Sequence, residues 1–347
     1  MSEFFNKWQL GVTFGFRAKN GWFSTPEAKA EADAIAASGA DWVVLVVTVF
    51  QEHPYSTVQF RDFEKTPDDF EVIEMIDYLH SLGLKVQLRP MLETLDGGGR
   101  LTIWFPNDDP TGVRIPGTSR TFLSDWFDSM TKRSVHYAKI AEKTACEMYC
   151  LDSELDRIIN HNANWKSLIQ AVRAVYSGCV TSCHTTHTDI INFEKVLSNK
   201  DHWFYDLDML SLSCYHKAAY KPEETKEVMI ENYKSQLERF RNLHKLYQKP
   251  IFFGECGCTS SSGGAMAPSS FKNNTYYNGE EQANYLSAVI ETFSGEEWWH
   301  GLYWWKWDEQ VPRPISDKGF TIKGKPAIEV YKYWGAQDRT RKQQENL

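Results

Sequence analysis

Residues 251–257 read Ile-Phe-Phe-Gly-Glu-Cys-Gly, three apolar side chains in succession, then a carboxylate set between two glycines. A run this short and apolar on both faces reads as a parallel strand covered on each side, not as a helix. Working outward, seven further runs of the same kind lie at 9–16, 42–49, 84–92, 147–151, 179–184, 209–215 and 302–307. Only 209–215 shows some alternation. Between the runs lie amphipathic segments with helix signals. Thr25-Pro26-Glu27 and Thr66-Pro67-Asp68-Asp69 each place a capping hydroxyl, a first-turn proline and acidic residues, and Gly39 and Gly83 close those two helices. Further helical patterns cover 122–143, 165–176, 222–247, 280–293 and 327–333, with a short one near 193–197. Eight strands each followed by a helix predict an α/β chain folded as a single (β/α)8 TIM barrel over residues 1–347. A doubly wound open sheet would show a glycine-rich phosphate turn after its first strand, and Gly15-Phe16-Arg17-Ala18-Lys19 lacks that spacing.

The composition agrees with such a chain. Its 347 residues are 42% hydrophobic and 24% charged, as in a soluble globular protein. Lys plus Arg number 38 against 46 Asp plus Glu, with a net charge of -8 and no basic tail, so nucleic acid is not an expected partner. No stretch approaches the roughly 20 apolar residues of a membrane span. Residues 1–12 hold no run of signal-peptide length, so the expected location is cytoplasmic, or secreted if a signal has been removed. Seven cysteines, an odd number, fall in or beside the apolar runs and read as buried thiols.

The longest connections follow strands three, seven and eight, all at strand C-terminal ends, where a barrel builds its active face. Strand four runs into Leu151-Asp152-Ser153-Glu154 and strand seven into Gly254-Glu255-Cys256. Ends four and seven face each other across a barrel mouth. Two carboxylates there would lie about 5 Å apart, the separation for double displacement at a sugar anomeric carbon. One must be held protonated and one ionised. Glu154 also reads as an ordinary helix-start residue, whereas a carboxylate between two glycines at the end of Ile-Phe-Phe has little structural reason to be there. Strand eight carries Trp304, Trp305 and Trp307. Alternation sends one or two of these indoles into the mouth as a floor for a sugar ring, and the others between barrel and helices.

A (β/α)8 pattern with Glu154 after strand four, Glu255 in Phe-Gly-Glu-Cys-Gly, and Trp305 at the end of strand eight resembles the clan A retaining glycoside hydrolases. Gly11-Val-Thr-Phe-Gly-Phe16 and the Asp-Ser-Glu-Leu segment are most similar to glycoside hydrolase family 113, best known for β-mannanases. The resemblance implies Glu154 as general acid and base and Glu255 as nucleophile. Ser153 stands where most of the clan carries Asn against the sugar 2-hydroxyl, and family 113 has a small hydroxyl residue there. Arg89 matches the clan's arginine near the nucleophile, and Tyr215 its hydrogen-bonding Tyr or His. His184, at the end of strand five, is a candidate substrate contact or a satisfied barrel-end histidine. Trp22 and Trp104 are candidate subsite aromatics, as are Phe23, Phe105, Trp203, Trp298 and Trp299 in loop-like stretches.

The expected substrate is β-1,4-linked mannan or manno-oligosaccharide, cleaved without cofactor or metal. The His184/His187 and Cys256/Cys258 pairs lack a second pair for zinc. The competing readings are a retaining β-glycosidase on another sugar (gluco, xylo or N-acetylglucosamine) and a sugar-binding barrel without hydrolysis. A Schiff-base aldolase would need Lys306, which alternation turns outward if Trp305 and Trp307 face the mouth.

Overall fold

In the computed structural model, which describes residues 8–105, 120–185, 199–272, 275–308 and 317–345, eight parallel strands close into a barrel in chain order. They are β1 (Gln9–Phe14), β2 (Trp42–Gln51), β3 (Lys85–Thr94), β4 (Met148–Ser153), β5 (Cys179–Thr185), β6 (Leu210–Ser213), β7 (Ile251–Cys256) and β8 (Trp299–Trp304). The described helices are α1 (Pro26–Ala36), α2 (Asp69–Ser81), α3 (Phe122–Lys143), α4 (Asn162–Arg173), α5 (Lys226–Lys234), α6 (Leu237–Tyr247), α7 (Gly279–Phe293) and α8 (Ala327–Glu345). The helix expected at 193–197 lies outside the described residues. Strands buried on both faces sort their side chains into two cores. Val44, Val46, Met148, Met209, Phe252 and Tyr303 fill the barrel, while Val43, Leu45, Val86 and Phe253 pack outward on the helices. Of the polar side chains buried in the strands, Arg89 pairs with Gln87 and Glu255, and Gln9 with Tyr303.

Several boundaries differ from the sequence reading for identifiable reasons. Strand β8 begins at Trp299, three residues early, because Gly301 continues the strand at φ +106 where a Cβ would lie 1.8 Å from the Gln9 carbonyl oxygen. Trp299 is therefore a strand residue packed on Trp8 and Phe253, and Trp298 and Trp203 are likewise buried in the outer core. Helix α1 is capped by Thr25 as read, but α2 is capped by Asp68 in a reciprocal pair with Glu71. The Thr66 hydroxyl instead donates to the Thr48 carbonyl. The helix expected over 222–247 is two: it starts after the Thr225 cap and breaks at Ser235, whose hydroxyl bonds the Asn232 carbonyl. All seven cysteines are buried and free. Among the described residues no helix is long and apolar enough to cross a membrane.

Candidate active site

Strand β7 delivers Glu255 into the barrel mouth, where it is 1% exposed. Three donors converge on its carboxylate. Arg89 Nη1, from the middle of β3, lies 3.0 Å from Oε1, and the Ser153 hydroxyl at the end of β4 donates to the same oxygen at 2.6 Å. The Tyr215 hydroxyl, just past β6, donates to Oε2 at 3.3 Å. Arg89 is itself fully buried and locked by Gln87 Oε1 and the Gly254 carbonyl. A charged guanidinium held so rigidly fixes both the place and the polarity of its acceptor. Arg89 and Tyr215 bond Glu255, beside which the resemblance set them, and Ser153, set by the resemblance against the sugar 2-hydroxyl, bonds Glu255 as well.

Glu154 is not a helix cap. It follows β4 in the left-handed region at φ +59, with its amide donating to the Cys183 carbonyl. A non-glycine residue in that conformation is held by its surroundings, a form of local strain common at functional positions. Beneath it Asp152 anchors the strand end, accepting from the Ser153 amide at 2.7 Å and pairing with the buried Arg133 of α3 at 2.6 Å. The Glu154 side chain is nearly buried, and its Oε2 lies 2.9 Å from Arg100 Nη2. Burial first, and then the negative charge of Glu255, raise its pKa from 4.5 to about 7, against the opposing pull of Arg100. Glu154 is therefore a carboxyl group that exchanges a proton near neutrality.

Both carboxyl groups line one cavity of about 390 Å³, walled by Trp305, Phe16, Phe271 and Phe320 and bordered by Arg17, Arg100 and Thr185. Trp305 turns into the mouth against the Phe16 ring, at 4.9 Å between centroids. Trp304 and Trp307 turn outward, their indole N–H groups bonded to the Phe320 carbonyl and Glu31. Simple alternation therefore fails after β8, so Lys306 is not directed outward opposite two mouth-facing indoles. It is buried, with its ammonium 2.8 Å from Asp308.

Three expected contacts are placed elsewhere. His184 is enclosed, one ring nitrogen 3.1 Å from Asp156 and the other 3.0 Å from the Ser182 hydroxyl. It is the satisfied barrel-end histidine. Trp22 packs on Phe14 and Phe23, and Trp104 on Tyr55; neither is among the described residues that wall the cavity. Conversely, Arg100 and its partner Glu93 went unread. Their only signal is Gly97-Gly98-Gly99-Arg100, a cation delivered by a glycine-rich loop from the end of β3. Burial pushes the Cys256 thiol up to about 12, so beside Glu255 it is no thiolate nucleophile. His187 lies outside the described residues, and among those described no three His, Cys, Asp or Glu side chains cluster to hold a metal ion.

Two differently held carboxyl groups thus share an aromatic-walled cavity at the mouth of a parallel barrel, and the family comparison makes the chain a glycoside hydrolase. The model of Glycoside Hydrolase Family 113 matches residues 12–325, and the chain belongs to that family. A solved GH113 β-1,4-mannanase shares 31% identity at a TM-score of 0.82, over 95% of this chain and 99% of its own. The GH113 β-mannanase of Alicyclobacillus acidocaldarius in complex with ManMIm shares 29% identity at 0.82, over 97% and 100%. A β-glucuronidase from Ruminococcus gnavus reaches 13% identity and 0.56, over 95% of this chain and 50% of its own, a likeness of fold alone. No curated protein matches the chain in sequence.

Proposed function

We propose that this glycoside hydrolase is a retaining β-mannanase, cleaving β-1,4-linked mannan or manno-oligosaccharides by double displacement. Glu255 is the nucleophile and Glu154 the general acid and base. The observation that carries the reading is the different setting of the two carboxyl groups. Glu255 accepts from Arg89, Ser153 and Tyr215, a setting that favours a fixed carboxylate aimed at the anomeric carbon. Burial and the charge of Glu255 let Glu154 keep a proton to about pH 7, which suits a group that gives it to the leaving oxygen and later takes one from water. As Glu255 forms the glycosyl ester its charge disappears, and the pKa of Glu154 falls with it. The acid of the first step thereby becomes the base of the second. Trp305 offers an apolar face to the sugar C–H groups beside these two. The choice of manno-configured substrate is supported by the GH113 mannanases the chain resembles.

Product analysis on β-1,4-linked manno-, gluco- and xylo-oligosaccharides, with NMR of the newly released anomer, tests this. Wild type is expected to cleave the manno series and release the β-anomer first, and folded Glu255→Ala to release nothing. First appearance of the α-anomer would refute the double displacement. Cleavage of another series alone would refute the sugar and leave the mechanism standing.

A further inference from the structure

The groups facing Glu154 come from four elements. Glu255 approaches from β7, Ser213 from β6, Asp156 from the turn after β4, and Arg100 from the loop after β3. Tyr215 lies close enough to feel its charge. Of these only Arg100 brings a positive charge into contact. Its guanidinium is forked. One terminal nitrogen meets Glu154 Oε2 at 2.9 Å, and the other meets Glu93 of β3. The Arg100 side chain is 11% exposed, and its face lies over the Phe16 ring at 5.9 Å. An arginine so enclosed keeps one geometry, so whatever it holds is held in one geometry as well. Nothing in the double displacement itself requires a cation on the proton donor.

We propose that Arg100, braced by Glu93, is a positioning residue for Glu154, fixing Oε2 so that Oε1 carries the proton delivered to the glycosidic oxygen. This rests on the assignment of Glu154 as general acid. Arg100 also opposes the burial and the Glu255 charge that hold the proton on. Glu93, by neutralising part of the arginine, moderates that opposition. The two residues therefore act in opposite directions on one proton, and the positioning itself is read from how much more rate is lost on a substrate whose leaving group needs that proton than on one whose leaving group does not.

The test is the pH profile of kcat/KM, which reports steps up to the first bond cleavage, for wild type, R100Q, E93Q and E154Q. Each is run on a manno-oligosaccharide, whose leaving group needs a proton, and on dinitrophenyl β-mannoside, whose leaving group does not. In R100Q the basic limb on the oligosaccharide is expected to move up by about one unit or more. Its loss of rate there should exceed its loss on the dinitrophenyl substrate roughly tenfold. In E93Q the limb is expected to move the opposite way, to lower pH. Equal losses on both substrates with the limb unmoved in R100Q, or limbs moving in the same direction in both variants, overturn the proposal. If R100Q does not fold, the direction of the E93Q limb decides alone. E154Q separates the two ideas: equal losses on both substrates there would remove the general-acid assignment itself, whatever Arg100 does.

Discussion

Replacing Glu154 by Gln should make the protein more stable above neutrality and leave it unchanged in acid. Buried under the mouth, Glu154 binds its proton up to about pH 7, whereas in the unfolded chain it releases it near 4.5. Between those values the folded state holds one proton more than the unfolded state, so stability falls as pH rises, by about 1.4 kcal/mol per unit. Over the interval from 4.5 to about 7 that amounts to about 3 kcal/mol. Gln keeps the shape without the charge, so its variant lacks this loss. The assay is urea unfolding of both proteins at half-unit steps from pH 4 to 8, comparing free energies extrapolated to water. Titrating groups far from the mouth are common to both, so the difference reports residue 154 together with the charges in contact with it. The two curves should coincide near pH 4 and separate by about 3 kcal/mol at pH 8. Curves that stay parallel would mean that Glu154 pays no desolvation in the fold, and the argument for its acid role from burial would go with it.

Three further outcomes are expected. Ser153→Ala removes the 2.6 Å bond to Glu255. A hydrogen bond to a charged group contributes about 1.5–3 kcal/mol, so kcat/KM should fall roughly 10- to 100-fold with the melting temperature little changed. Arg133→Met leaves Asp152 buried without its cation and should cost about 3 kcal/mol in urea unfolding. Gly301→Ala forces a methyl against the Gln9 carbonyl at a positive φ, and should lower stability by about 3 kcal/mol or more while Gly295→Ala, with open space around it, leaves stability nearly unchanged.

The barrel was legible because fully buried parallel strands are apolar on both faces, and 42–47 and 251–253 carry that pattern without interruption. The start of β8 was not, since a glycine inside a strand reads as a break unless its neighbour's carbonyl is known to crowd it. Glu255 stood out because its local context had no other explanation. The group around it was legible only in part. Arg89 sits within β3 and Tyr215 just past β6, and strand order alone brings them to the mouth. Arg100 reaches Glu154 through a loop whose path no periodicity encodes, so its ion pair was invisible. For His184 the sequence left two readings open, because a strand-end position does not show a side chain taken by Asp156, 28 residues away.

The pairing of β1 with β8 also governs how the protein comes into being. Gln9 lies opposite Gly301, and the Tyr303 hydroxyl bonds Gln9 within the barrel, so the ring shuts between segments nearly 300 residues apart. Such distant pairing is slow to form and comes after local units have gathered. During synthesis the first strand waits, unpaired on one edge, until β8 has left the ribosome. The aromatic wall at Trp305 belongs to the segment that arrives last, so recovery of activity on refolding times the shutting of the ring, not the earlier collapse of its strands.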